Sequence, residues 1–300
     1  MPFFIRIHAT SAATAVIAAA LSCAAVLASS GAAAQTPGAA AQTPGAAAQA
    51  PGSQPGSFVP QVGQAGKDVI WVPTPDSLVD RMLSMARVTS QDYVVDLGSG
   101  DGRTVIAAAK KFGANAMGVE FNPDMVALSE HNAAEAGVAD RVKFIRGDIF
   151  QTDFSKATVV TLYLLPDLNV RLRPKLLDLK AGTRVVSHAF TMGDWEPDER
   201  VEMDNRSALM WIVPARVAGG WSFKGPKGSF DADFTQRYQL LTGIIDGAPI
   251  GQGRLRGTEI SFSYTSAGRS HRFSGQVAGA EIRGTLDESG GGAAWVATRR

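Results

Sequence analysis

The sequence predicts an open, doubly wound α/β sheet followed by a small antiparallel β domain. Three observations carry this. Apolar runs of strand length alternate with helical stretches between about Val72 and Ser187. A glycine-rich loop stands between the first of those strands and the helix after it. Composition changes after about Val213, where short alternating runs are separated by Gly-rich turns.

The chain opens with a different kind of segment. Residues 1–34 carry one basic side chain, Arg6, then an apolar run from about Ala12 to Ala28 and a small-residue end, Ala32-Ala33-Ala34. That pattern is expected of a secretory signal peptide cut after about Ala34, which makes the protein exported. The alternative is a membrane anchor retained through residues 12–28, the one circumstance in which membrane contact is expected. Three heptapeptides follow, AAAQTPG, AAAQTPG and AAAQAPG, and each Pro-Gly pair breaks a helix. With no large apolar side chains to bury, residues 35–57 are expected to be a disordered linker.

The folded region is expected to divide into an α/β domain over 58–213 and a Gly-rich β domain over 214–300. Asp76 is the expected N-cap of a helix carrying Leu78, Val79, Met82, Leu83 and Met85 on its apolar side. Tyr93 to Leu97 makes the first strand, Thr104 to Phe112 a helix, Ala116 to Glu120 the second strand and Pro123 to Ala136 another helix. Val142 to Ile145, Thr158 to Leu165 and Thr183 to Ser187 supply three more strands. Connections of this kind give a mostly parallel sheet, whose ligands sit at the carboxyl ends of its strands.

The loop Gly98-Ser99-Gly100-Asp101-Gly102-Arg103 falls at such an end. Glycines there turn the backbone sharply and let it approach a ligand without Cβ atoms in the way. A dinucleotide fingerprint needs its third glycine where Arg103 stands, and no Gly-Lys-Ser/Thr follows, so neither an NAD site nor a P-loop is expected. Carboxylates close three successive strands: Asp96, Glu120 and, after Gly147, Asp148.

Composition excludes other chemistry. Arg6 is the only charged residue among the first 66, and the remaining 234 positions hold 28 basic and 28 acidic side chains. Without a basic stripe, no nucleic-acid partner is expected. Cys23, inside the leader, is the only cysteine, and the four histidines lack metal-ligand spacing, so no metal is expected. His188 has no triad partner in the sequence and is read as structural.

These pieces together resemble the class I, seven-β-strand S-adenosylmethionine-dependent methyltransferases, whose fold is a Rossmann-like sheet. The resemblance covers about 70–213. It implies that Asp96 to Gly102 wraps the methionine end of S-adenosyl-L-methionine, that Glu120 takes the ribose hydroxyls, and that Asp148 reaches the adenine amino group. The implied cofactor set is Asp96, Gly98, Ser99, Gly100, Asp101, Gly102, Glu120, Phe121, Asn122, Asp148 and Ile149. An ammonium, a vicinal diol and an amino group all donate hydrogen bonds that carboxylates accept.

The strand before Pro166 lacks the Asn/Asp-Pro-Pro-Tyr motif of adenine and amide methyltransferases. Val72-Pro73-Thr74, Asp96 to Arg103, Gly118 to Pro123, Gly182 to Ser187 and Trp195-Glu196-Pro197 are similar to a narrower group, the mitochondrial-type protein-lysine N-methyltransferases. That similarity implies a lysine of an acceptor protein as substrate. The alternatives are a small-molecule acceptor, or a non-catalytic exported binding protein that keeps the nucleotide fold. Substrate-side candidates are Tyr163, Leu164, Pro166, Asp167 and Asn169: either Tyr163, Leu164, Leu165 and Pro166 line an apolar mouth in which Asp167 or Asn169 orients the amine, or Tyr163 to Leu165 continue a buried strand. No catalytic base is assigned.

Sixteen of the 32 glycines fall in the 82 residues from 219 to 300. Alternating runs at 237–245, 254–264, 271–277, 281–286 and 293–298 predict a small sheet or partial barrel. Trp211, Trp221, Phe223, Phe230 and Trp295 are expected in its core or at its seam with the first domain. A docking module is the alternative for this region.

Overall fold

The computed structural model describes residues 58–226, 228–266, 268–288 and 291–300. The expected leader and linker lie outside the described residues. No helix among the described residues is long and apolar enough to cross a membrane.

Strands β1 (Tyr93–Leu97), β2 (Asn115–Glu120), β3 (Val142–Arg146), β4 (Val159–Leu162) and β5 (Arg184–His188) pair in parallel. Two further strands, β6 (Glu199–Met203) and β7 (Arg206–Ile212), go beyond the five expected and pair antiparallel, giving the order β3-β2-β1-β4-β5-β7-β6. Side chains alternate across the strands, so each face has its own core. Helices α1 (Asp76–Met85), α2 (Arg103–Phe112) and α3 (Pro123–Glu135) cover the face carrying Val94, Ala116, Val159, Val186 and Met210. Helix α4 (Pro166–Leu177) lays Leu168, Leu172 and Leu176 on the face carrying Val95, Leu97, Val119, Val160 and Leu162.

Two local expectations are corrected. Pro75, not Asp76, caps α1; its carbonyl accepts the Leu78 and Val79 amides, and Asp76 lies in the first turn, where a carboxylate suits the helix dipole. The fourth strand stops at Leu162 rather than Leu165. Pro166 at the start of α4 holds Leu165 extended, at φ −60° and ψ 154°, so residues 163–165 leave the sheet before the helix begins.

Beyond the sheet, β8 (Gly219–Gly225), β9 (Gly228–Arg237), β10 (Leu240–Ile245), β11 (Ala248–Arg256), β12 (Glu259–Ser266), β13 (Arg269–Ala278), β14 (Glu281–Glu288) and β15 (Gly291–Arg299) form a closed meander. Where the sequence suggests a partial barrel, pairing of β15 with β8 closes it. The first two of these strands are not among the expected runs, although their buried Trp221, Phe223, Phe230, Ala232 and Phe234 alternate with polar residues as strands do. An eight-stranded barrel has an interior just wide enough for side chains. Here Trp221, Phe223, Phe230, Phe234, Phe262 and Phe273 fill it, with Phe223 stacked on Phe230 at 4.7 Å and edge-on to Phe273 at 5.3 Å. Gly225 makes room for Trp295, whose indole would lie 2.5 Å from any added Cβ. Trp221, Phe223, Phe230 and Trp295 are thus barrel core, whereas Trp211 belongs to the sheet.

The two parts share a polar seam. Arg254 of β11 pairs with the buried Asp198 at 2.7 Å, Gln239 donates to the Glu196 carbonyl at 2.8 Å, and Tyr238 stacks on Trp195 at 5.9 Å.

Candidate active site

Strand order reverses at β1, which has β2 on one side and β4 on the other. A cavity of about 320 Å³ opens at the carboxyl ends of these strands, within the range usual for small-ligand sites. Its walls come from the glycine loop, the ends of β2 and β3, residues 162–165, and a segment preceding α1.

The glycine loop is shaped by backbone demands. Gly98, Gly100 and Gly102 all have positive φ, at 83°, 54° and 82°. Gly102 ends the loop as the residue before α2, where a Cβ would sit 2.7 Å from the Phe144 ring. Its glycine is required by packing, and it does not line the cavity. Arg103, the departure from the dinucleotide fingerprint, pairs with Asp101 at 2.6 Å and donates to the Thr74 carbonyl at 3.0 Å. It ties the loop to the segment before α1.

Of the five acidic residues that line the cavity, Asp68, Asp96, Asp101, Glu120 and Asp148, three end or follow strands β1, β2 and β3. Asp96 pairs in register with Thr161 of β4, whose hydroxyl donates to it at 2.6 Å. Burial pushes the Asp96 carboxyl up to about 7, although the hydroxyls of Thr161 and Thr104 pull the other way. Glu120 is held by three amides: Gly100 donates to one oxygen, Phe121 and Asn122 to the other, each at 2.9 Å. Asp148 accepts from the Phe150 amide at 2.8 Å and from Lys67 at 2.6 Å. The Lys67 hydrogen bond is the main cause holding the Asp148 carboxyl below the usual range.

Lys67 belongs to a part of the site that no local pattern announces. Residues 63–71 form a small hairpin, closed by hydrogen bonds between Gly63, Gln64 and Trp71, that straps the cavity. The Trp71 indole packs so closely on the glycine loop that a Cβ on Gly100 would lie 2.6 Å from its Nε1. The one sequence signal nearby is Val72-Pro73-Thr74, which lines the same cavity.

The other expected cofactor residues are also placed. Gly98, Ser99, Gly100, Asp101, Phe121, Asn122 and Ile149 line the cavity. Asn122 also caps α3, its side chain accepting the Asp124 amide at 2.8 Å. On the acceptor side, Tyr163 and Leu164 line the cavity together with Leu165 and Phe190. Pro166 and Asp167 begin α4 outside it. Asn169 is corrected from a substrate-side candidate to a buried strut. Its side-chain amide donates to the Phe190 and Thr191 carbonyls, both at 3.2 Å, because α4 turns that face toward the end of β5. Among the described residues no group of three His, Cys, Asp or Glu side chains is arranged to hold a metal.

The residues fit S-adenosylmethionine on the structure's own terms. Carboxylates end three adjacent strands on one cavity, the buried Ser99 hydroxyl has no protein partner, and the side-chain-free glycines bring backbone amides to the wall. Fold and cavity thus place the chain among the S-adenosylmethionine-dependent methyltransferases. The family model of the ANTKMT methyltransferase domain matches residues 96–199. A protein-lysine N-methyltransferase of Saccharolobus islandicus is 44% identical over 163 residues, covering 52% of this chain and 97% of the relative. The adenine nucleotide translocase lysine N-methyltransferase of Mus musculus is 35% identical over 140 residues, covering 46% of this chain and 56% of that enzyme. A solved RNA methyltransferase from Salinibacter ruber, in complex with S-adenosyl-L-homocysteine, is 52% identical, covers 49% of this chain and 96% of its own, and has a TM-score of 0.48. The chain belongs to the family of the archaeal protein-lysine N-methyltransferase, and the ANTKMT domain match lies within it. It spans nearly all of the archaeal relative and just over half of the mouse enzyme.

Proposed function

We propose that the protein methylates the ε-amine of lysine in an acceptor protein. The observation that carries this is the make-up of the cavity wall: carboxylates end or follow β1, β2 and β3, whereas Tyr163, Leu164, Leu165 and Phe190 follow β4 and β5. S-adenosylmethionine supplies a methyl group already attached to a sulfonium leaving group. The protein's own task is to hold the acceptor in line and to exclude water. A lysine must first shed the proton it holds below a pKa of about 10.4. An apolar wall disfavours the ammonium and so favours the nucleophilic amine. Burial pushes the neighbouring His188 down to about 4, which leaves its imidazole neutral at physiological pH.

The mouth suits a macromolecular acceptor. Ile70, Val72, Phe121 and Leu165 stand on its rim with 60%, 37%, 48% and 48% of their surface exposed, an apolar border for a lysine stem and its neighbours. The names of the archaeal and mouse relatives point to the same acceptor.

The test is transfer of labelled methyl from S-adenosylmethionine to a protein extract, before and after acetylation of its lysines. Label in protein that acetylation blocks supports the reading. Label confined to RNA or to solvent-extractable small molecules overturns it. Export, expected from the leader, is proposed separately. A mature N-terminus after about Ala34 outside the cytosol supports it, and an intact N-terminus in the cytosolic fraction overturns it.

A further inference from the structure

Tyr163 is fixed by neighbours outside the set of expected cofactor residues. Its ring stacks on the His188 imidazole with centroids 3.8 Å apart and planes 25° apart, and on Phe190 at 5.9 Å and 18°. Only Ala189 separates those two partners. Its φ is 64°, and the Phe190 amide donates to the His188 carbonyl at 2.8 Å, so the chain reverses within three residues. An alanine in that conformation is strained, and such strain persists where the surroundings over-determine it. Here the Ala189 amide is anchored to the Ser207 carbonyl of β7 at 2.8 Å.

His188 is held from a distant part of the sequence. Its Nδ1 lies 3.0 Å from Thr74 Oγ1, and both residues are buried, at 2% and 8% exposure. Arg103 holds the Thr74 carbonyl and pairs with Asp101 of the glycine loop. An unbroken set of contacts therefore runs from the glycine loop through Arg103, Thr74 and His188 to the ring of Tyr163. The Tyr163 hydroxyl has no hydrogen-bond partner among the described residues and is free to accept one N–H of an incoming amine.

We propose that Thr74 and His188 are positioning residues for the methyl acceptor, fixing the plane of Tyr163 so that its hydroxyl orients the amine toward the methyl group. The inference rests on the amine-acceptor reading above. In-line transfer is sensitive to placement, and a displacement of about 1 Å costs roughly 100-fold in rate. A ring clamped by stacking cannot swing out of line, whereas an unclamped one can.

The test uses the full chain carrying His188→Asn, which removes the stacked ring but keeps a polar atom for Thr74, and Thr74→Val, which keeps the shape but loses the bond. Thr74→Ser is the conservative rescue. Cofactor affinity is measured by calorimetry, and kcat and KM with a lysine-containing acceptor. Expected are losses of about 10- to 100-fold in kcat for His188→Asn and Thr74→Val, with cofactor Kd within about twofold and Thr74→Ser close to wild type. Unchanged kcat in both variants overturns the proposal, as does a loss of cofactor affinity that parallels the loss of rate. If His188→Asn fails to fold, the threonine pair decides alone. A wild-type protein that labels no lysine removes the amine-acceptor reading and this inference together, whereas active wild type with equally active variants removes this inference only.

Discussion

In the sheet, β1 and β4 carry connections that leave in opposite directions, so their carboxyl ends open into a cleft. In the barrel, every strand returns beside its predecessor, and seven large aromatic side chains are packed into its core. Burial along the strands differs: those of the barrel bury about one side chain in two, whereas β1, β4 and β5 are covered on both faces. What separates them is closure: an open parallel sheet has a crevice where its order reverses, and a small closed barrel spends its interior on packing. The methyltransferase site accordingly lies wholly on the sheet and the strap over it, and the barrel meets the sheet at a seam on Asp194, Glu196 and Asp198.

The largest effect that sharpens this contrast is expected in the barrel. Phe273 is fully buried, so Phe273→Ala costs about 3–5 kcal/mol in denaturant unfolding, through lost transfer energy and the cavity left behind. Cofactor affinity of the folded variant, measured by calorimetry, stays within about twofold. A large change in Kd would mean that the barrel shapes the site.

Asp96→Asn is expected to do the reverse. Removing its charge weakens S-adenosylmethionine binding by about 100-fold, roughly 2.7 kcal/mol, without lowering the melting temperature. Equal affinity in the variant would break the assignment of Asp96 to the cofactor. Glu120→Gln should follow at about tenfold, since its one remaining oxygen can still accept the Phe121 and Asn122 amides while its NH2 group cannot accept from Gly100.

A smaller effect follows from ionisation of Asp96. Its folded pKa, about 7, lies above the 3.8 of the unfolded chain, so the folded state binds the proton more tightly. That contribution is fully present below pH 3.8 and is lost as pH rises through 7. Between pH 5.5 and 8 the cofactor-free protein should lose up to about 2 kcal/mol that Asp96→Asn does not lose, as thermal melts across that range would read. Affinity for the cationic cofactor should rise over the same interval. A pH-independent difference between the two proteins would refute the linkage.

The smallest effect is expected at the strap. Lys67 and Asp148 are both partly exposed, at 35% and 24%, so the pair contributes under about 1 kcal/mol to stability. Lys67→Met should speed cofactor release by about two- to fivefold in stopped flow at low salt, and the difference should shrink at high salt. An unaltered release rate would show that the strap does not hold the cofactor.

Where the chain announces its structure, the cause is local. Tyr93 to Leu97, the three glycines and the helix from residue 103 lie within some 20 residues and are set by apolar runs and backbone freedom. Asp96, Glu120 and Asp148 can be picked out because each ends a strand, which fixes its position in any doubly wound sheet. Tyr163 is legible as a candidate, but leaving the sheet after Leu162 depends on Pro166 and the helix behind it. Asn169 misleads because an asparagine one turn into a helix looks the same in sequence whether it faces a cavity or a neighbouring loop.

By itself the sequence determined the five parallel strands of the sheet, its glycine turn, the carboxylates that meet there and the β character of the last third. Only the tertiary structure decided that Lys67 meets Asp148 across 81 residues, that Thr74 meets His188 across 114, and that β15 closes onto β8. The physical reason lies in range. Periodicity and turn chemistry act over a few residues, whereas a contact between distant segments depends on how whole layers pack and leaves no spacing to read.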